Sequence, residues 1–351
     1  MATTHDGFAA LRQDTEYQRL LAASARAGRD PLQVQAAGGN SSIKAGGAMW
    51  VKASGTWLAD AETREIMVPV RQGALVEAMA AGPVDAKGFV PDGLAGEGLR
   101  PSIETTVHAV LPQRIVLHTH CVATIAMAMR RDRAALMVDR LGDLDPIVVP
   151  YVMPGEPLSR RLAAEAGPGR RVAILGNHGL VTMGDTVDEA EALLAEVARR
   201  LAPAEVLAEA APAASLATEH YLPAEAPTLH AVAQSPAHCA MAAAGPYYPD
   251  HVVFLGATLA VAAEGEALEA AATRLADPSG ALPLLVLVPG AGAAIRRDAT
   301  PSVAAMARCL GDVIARVPVD APVERLTAAE VDALLGWDAE KHRQALSAGR
   351  S

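Results

Sequence analysis

Apolar residues near the start of the chain recur at helical spacing. Phe8, Leu11, Leu20 and Leu21 stand among charges across Phe8 to Ala27, the pattern of a surface helix. Gly38-Gly39-Asn40-Ser41-Ser42 interrupts that pattern as a turn between extended segments. Met49 to Lys52 reads as a strand that ends at Ser54-Gly55. Ser102, after Pro101, predicts the N-cap of a helix over Ile103 to Val110, with Glu104 in its first turn. Arg114 to His120, Pro146 to Val152 and Val172 to Leu175 read as strands, and Val122 to Met129 as a helix. Thr186 to Leu201 is strongly helical, with Val187, Ala190, Leu193, Leu194 and Val197 on one face. Ala, Pro and Glu then dominate from Ala202 to about Pro227, as in a linker with some helical turns. Beyond it, strands are predicted at Val252–Leu255, Thr258–Val261 and Leu284–Val288. Helices are predicted near Glu266–Leu275, Ser302–Val317 and Ala328–Ser347. Strands alternating with helices predict an α/β protein with a second, smaller α/β domain. The expected organisation is a catalytic domain over 1–210, a linker over 211–227 and the smaller domain over 228–351.

Composition narrows the function classes. The 351 residues are 51% hydrophobic and 20% charged, too apolar and too weakly charged for a disordered chain. Lys and Arg number 30 against 40 Asp and Glu, a net charge of -10. That balance argues against a broad nucleic-acid or anionic-membrane surface and leaves room for a local basic pocket. Cys121, Cys239 and Cys309 are far apart and odd in number, which argues against a disulfide scaffold or a cysteine-based zinc knuckle. Met1 to Asp6 lacks the start of a secretory signal, and no stretch approaches the roughly 18 apolar residues of a membrane span. A reduced, cytoplasmic protein is the expectation.

The strongest chemical signal is Leu117-His118-Thr119-His120. Residues two apart on a strand share a face, so His118 and His120 present their imidazoles side by side. Such a pair is either two ligands of a divalent ion or two ordinary core or surface histidines. Val172 to Leu175 runs into Gly176-Asn177-His178-Gly179, which puts His178 at a strand's carboxyl end, where open α/β sheets place their sites. Glu104 is either a fourth ligand or proton shuttle, or a charge complementing a helix terminus. His108, one turn later on the same helix face, reads as a hydrogen-bonding partner rather than a ligand. Cys121 points away from His120 by strand alternation and reads as core, as do Trp50 and Trp57.

Six segments together resemble the class II aldolase/adducin superfamily: Gly38-Gly39-Asn40-Ser41-Ser42, Lys52-Ala53-Ser54-Gly55, Pro101-Ser102-Ile103-Glu104, His118-Thr119-His120, Val149-Pro150-Tyr151 and Asn177-His178-Gly179-Leu180. They occur in the family's order over roughly the first two-thirds of the chain. The likeness is greatest to the aldolase half of bifunctional rhamnulose-phosphate aldolase/short-chain dehydrogenase proteins. It implies a three-layer α/β/α domain with a central sheet, and Zn2+, or Mn2+, Co2+ or Fe2+, on His118, His120, His178 and Glu104. It further implies that Glu104 serves as acid/base and Tyr151 protonates an aldehyde oxygen from a neighbouring subunit. Asn40, Ser41, Lys52, Ser54, Gly55 and Ser102 fall on the loops that bind substrate phosphate. The implied reaction is reversible aldol cleavage of a ketose or ketose phosphate through a metal-stabilised enediolate, in a homotetramer. An epimerase or decarboxylase of the same superfamily is the alternative. A catalytically dead adducin-like module would have lost the histidines that stand here. Two departures leave the anionic end of the substrate open. Ile103 replaces a second serine, and Lys52 replaces a smaller polar residue; it either supplies charge to an anion or guards an edge strand.

Overall fold

The structure is a computed structural model that describes residues 5–337. The chain before His5, and the part of the helix predicted over Ala328–Ser347 that follows Trp337, lie outside the described residues. The described chain divides into two compact units. The first takes the residues up to Thr124 together with Arg133–Leu201; the second takes Ile125–Asp132 and the residues from Ala202 onward.

In chain order the first part contains helices α1 (His5–Gln13) and α2 (Thr15–Arg29), then strands β1 (Asn40–Ala45), β2 (Ala48–Lys52) and β3 (Met67–Arg71). These are followed by α3 (Gln72–Ala81), α4 (Thr105–Val110), β4 (Ile115–Thr119), α5 (Val122–Ala128), α6 (Arg133–Leu141) and β5 (Ile147–Val149). The series closes with α7 (Glu156–Ala163), β6 (Val172–Leu175), β7 (Gly179–Gly184) and α8 (Val187–Leu201). The strands form one seven-stranded sheet in the order β3-β2-β1-β4-β7-β6-β5. Only the β5–β6 pair is parallel among its pairings.

Strand alternation sorts the side chains into two cores. Ile43, Trp50, Ile115 and Leu117 pack against Leu11 of α1, Tyr17 and Leu20 of α2, and Val187 and Ala190 of α8. The opposite face sets Met49 and Val51 against Leu75 and Met79 of α3, and Val116 and Val181 against Val107 of α4 and Leu158 of α7. The result is the expected three-layer α/β/α arrangement with a central sheet. The single helix predicted over Phe8 to Ala27 is instead two helices. The Asp14 carboxylate accepts the Glu16 N–H at 2.9 Å and so caps a new start for α2. The helix predicted from Ile103 begins at Thr105, because Ser102 and Glu104 form the turn that leads into it.

The second unit contains β8 (Tyr221–Pro223), α9 (Pro227–Gln234), α10 (Pro236–Ala244), α11 (Pro249–Leu255), β9 (Ala260–Val261), α12 (Leu268–Arg274), β10 (Leu285–Val288), β11 (Gly292–Arg296), α13 (Pro301–Ile314) and α14 (Ala328–Gly336). Its sheet has the order β8-β11-β10-β9. Thus Tyr221–Pro223, inside the stretch read as a linker, is a strand of this sheet, paired with β11. Val252–Leu255, predicted as a strand from its β-branched and aromatic residues, belongs to a helix. Pro249 supplies a preset first turn, and burial of the whole segment outweighs the weak strand preference. Within this unit, Ile125–Asp132 is tied down by the Arg131 N–H to Pro322 C=O bond of 2.7 Å and the Glu324 N–H to Met129 C=O bond of 2.7 Å. Among the described residues, no helix is long and apolar enough to cross a membrane.

Candidate metal centre

Strand register brings the first contributors together. Asn40, the first residue of β1, lies opposite His118 on β4, and His118 in turn lies opposite Val181 on β7. His120 follows two residues later, just past the strand end. Between β6 and β7 the chain turns through Asn177, at a φ of 54°, and the His178 N–H bonds to Leu175 C=O at 3.1 Å. Glu104 stands immediately before α4, which packs on the same sheet face as His118.

These elements converge on one buried cluster. The ligand atoms of Glu104, His118, His120 and His178 all lie within 4.8 Å of one another. Glu104 Oε2 is 3.3 Å from His118 Nε2, and Glu104 Oε1 is 3.4 Å from His178 Nε2. The three imidazoles stand edge to face or tilted, with centroids 4.9 to 5.3 Å apart. Two glycines make room for the rings. A Cβ on Gly38 would lie 2.8 Å from His120 Nδ1, and one on Gly179 would lie 2.4 Å from Thr119 C=O.

The donor set fits a small divalent cation. Four ligands at about 2.0–2.1 Å from a tetrahedral centre lie roughly 3.3–3.4 Å apart, the separation of Glu104 from His118 and His178. His118 Nδ1 lies 3.0 Å from Leu180 C=O. Donation to that carbonyl places the ring proton on Nδ1 and turns the Nε2 lone pair toward Glu104, the arrangement that metal-binding histidines adopt. The Asn40 amide donates to Glu104 Oε2 at 2.7 Å and orients the carboxylate. Burial pushes the Glu104 carboxyl up, but the imidazoles of His118, His178, His120 and His108 outweigh it and hold it down at about 2. Once deprotonated, the Glu104 carboxylate offers the anionic oxygen that a divalent ion takes as a ligand.

The remaining sequence candidates are placed unevenly. Ser102 Oγ accepts the Glu104 N–H at 3.2 Å. Ser54 and Gly55 follow β2 and are held beside Ser102 by the Ser54 N–H to Arg100 C=O bond of 2.9 Å and by the pairing of Ala53 with Pro101. Ser41 faces away, on the α2 side, where its hydroxyl accepts from Ser24 Oγ at 2.7 Å. Lys52 is 1% exposed and donates to the carbonyls of Ala37 and Gly39 at 2.9 and 3.0 Å. The edge-strand reading of Lys52 is corrected, since β2 lies inside the sheet between β3 and β1. Tyr151 lies just past β5, at the end of the sheet where parallel β6 delivers Asn177 and His178. Gly176 packs against its backbone N, at 2.9 Å for a built Cβ.

Sequence reasoning reads His108 as a hydrogen-bonding partner behind Glu104 but does not name the β1 side chains that it meets. Ser42 Oγ and His108 Nδ1 are hydrogen-bonded at 2.7 Å, and Lys44 Nζ donates to His108 C=O at 2.7 Å. The signal is present as Asn40, Ser42 and Lys44 at every second position of β1. Polar alternation on a strand ordinarily marks a solvated face, and here that face is covered by α4.

The family model for the class II aldolase and adducin N-terminal domain matches residues 18–203. An uncharacterized oxidoreductase, YuxG, of Bacillus subtilis (strain 168) is 39% identical over 89 residues, which span 25% of this chain and only 13% of that relative. The N-terminal class II aldolase domain of a conserved Thermoplasma acidophilum protein is 25% identical with a TM-score of 0.48, covering 54% of this chain and 92% of that one. An L-fuculose-1-phosphate aldolase from Thermus thermophilus is 21% identical with a TM-score of 0.37, covering 52% of this chain and 91% of that one.

Proposed function

The chain belongs to the class II aldolase and adducin N-terminal domain family, and on that premise we propose that it is a metal-dependent aldehyde-lyase. In this reading it reversibly cleaves a ketose or ketose phosphate to a dihydroxyacetone-type fragment and an aldehyde. One observation carries the reading: an anionic carboxylate and three imidazoles, all buried, meet within 4.8 Å.

His118, His120 and His178 would hold the cation, with Glu104 as a fourth ligand. Zn2+ or a related divalent ion bound there would supply Lewis acidity toward a ketone and its neighbouring hydroxyl. The Glu104 carboxylate, aimed by the Asn40 amide, moves a proton to and from the carbon that forms or loses the bond. Tyr151 handles the proton of the hydroxyl that becomes the aldehyde, across a subunit interface of a homotetramer. Asn40, Ser54, Gly55 and Ser102 receive the anionic end of the substrate. Lys52 contributes by holding the Ala37–Gly39 backbone in place rather than by contact.

Elemental analysis of purified protein beside a His118→Ala, His120→Ala double variant tests the centre. The parent should carry close to one divalent ion per chain and the variant almost none; equal contents would remove the mechanism. A screen of ketoses and ketose phosphates then reads the reaction. Aldehyde release supports the lyase, whereas a rearranged sugar without aldehyde, or carbon dioxide, would replace it with an epimerase or a decarboxylase.

A further inference from the structure

Glu104 reaches the histidines from the turn that leads into α4, a six-residue helix too short to hold its own position. What fixes it is a row of side chains on one face of β1. Asn40, Ser42 and Lys44 stand at successive same-face positions and meet α4 at successive heights. The Asn40 amide takes the Glu104 carboxylate, the Ser42 hydroxyl meets the His108 ring, and the Lys44 ammonium takes the His108 backbone carbonyl, each at 2.7 Å. Glu104 and His108 are one helical turn apart on the same side of α4. Ser42, Glu104 and His108 are all no more than 5% exposed, and Lys44 is 8% exposed. Buried bonds of this kind have no competing water and resist displacement more than surface contacts do.

We propose that His108 is a positioning residue for the metal centre. Its bond to Ser42, backed by Lys44 on its carbonyl, fixes the height and rotation of α4 over β1, and so sets where the Glu104 carboxylate stands relative to His118, His120 and His178. His108 itself lies outside the group of donors that meet within 4.8 Å. This inference rests on the proposed metal centre and deepens it. A buried His–Ser pair that only stabilised the fold would leave the geometry of the donors untouched once the protein is folded.

The test compares Ser42→Ala, His108→Leu and His108→Asn with the parent chain, all held well below their unfolding temperatures. Asn places a polar atom near the position of imidazole Nδ1 and keeps a partner for Ser42. Affinity for Co2+ is measured by chelator competition, together with the visible absorption of the bound ion, which reports coordination geometry. Outer contacts to ligands are typically worth about 10- to 100-fold in metal affinity. Ser42→Ala and His108→Leu should each lose about tenfold or more and shift the spectrum, and His108→Asn should recover most of the loss. Parent-like affinity and spectrum in Ser42→Ala would overturn the proposal even if its unfolding temperature fell, and would do so whether or not His108→Leu folds. A parent chain that binds no Co2+ would overturn the metal centre and this inference together, so the two failures are told apart.

Discussion

At Gly38 a single hydrogen in place of a methyl group keeps His120 where it is. A Cβ there would sit 2.8 Å from the His120 ring and 2.9 Å from Gln35 C=O, so neither neighbour can move away cheaply. Gly38→Ala should fold but bind divalent ions about tenfold more weakly, by the same chelator competition. Tyr151→Phe should behave in the opposite way, retaining its metal content while turnover falls by about 10²-fold or more, as loss of an acid/base group does. The His-x-His pair and its glutamate are legible in the sequence because strand period and helix-start position are local properties. The contact of Asn40 with Glu104 joins residues 64 apart and follows only from strand order. Lys52 is illegible for a related reason. Lysine is almost never fully buried, and the Ala37 and Gly39 carbonyls that accept from its tip are partners that strand pattern does not reveal.

At the scale of elements, local signals decide most helices and many strands, and the exceptions have identifiable causes. The Asp14 cap splits what reads as one amphipathic helix, and its carboxylate also pairs with Arg114. Asp14→Ala should cost about 1 kcal/mol from the cap alone, seen as a lower urea midpoint with unchanged metal binding. Strand β3 is hidden in the sequence because Pro69 sits inside it. It can exist only because β3 is at the edge of the sheet, where a missing N–H breaks no rung on its outer side. Strand β7 begins and ends in glycine, so its apolar centre is too short to stand out. In the second unit, Val252–Leu255 carries strand-forming residues yet is helical, since its neighbours rather than its own preferences determine how it is buried.

For the whole molecule, alternation of strands and helices foretells an α/β protein, and the family resemblance supplies the three-layer arrangement of the first unit. The second unit holds His251 buried against Tyr248, their rings 5.6 Å apart. Burial pushes the His251 imidazole from the ordinary 6.5 down to about 4. The unfolded chain takes up this proton first, so the contribution of His251 to stability is complete above about pH 6.5, is lost as the pH drops toward 4, and changes no further below it. Urea midpoints measured between about pH 7 and 4 should show that decline, and His251→Leu should make it shallower, the remainder coming from His108, His230 and His238, which burial also lowers. The bonds from Arg131 to Pro322 and from Glu324 to Met129 assign Ile125–Asp132 to a unit otherwise built from residues after Ala202. A chain ended at Leu201 should therefore leave the Arg131 N–H and the Met129 C=O without these partners and be less stable, which a lower urea midpoint would show. Inheritance should bear the same mark: a recombination that exchanges the carboxyl-terminal part between relatives has to bring a second, internal fragment with it, and substitutions in Ile125–Asp132 should covary with distant sequence rather than with their immediate flanks.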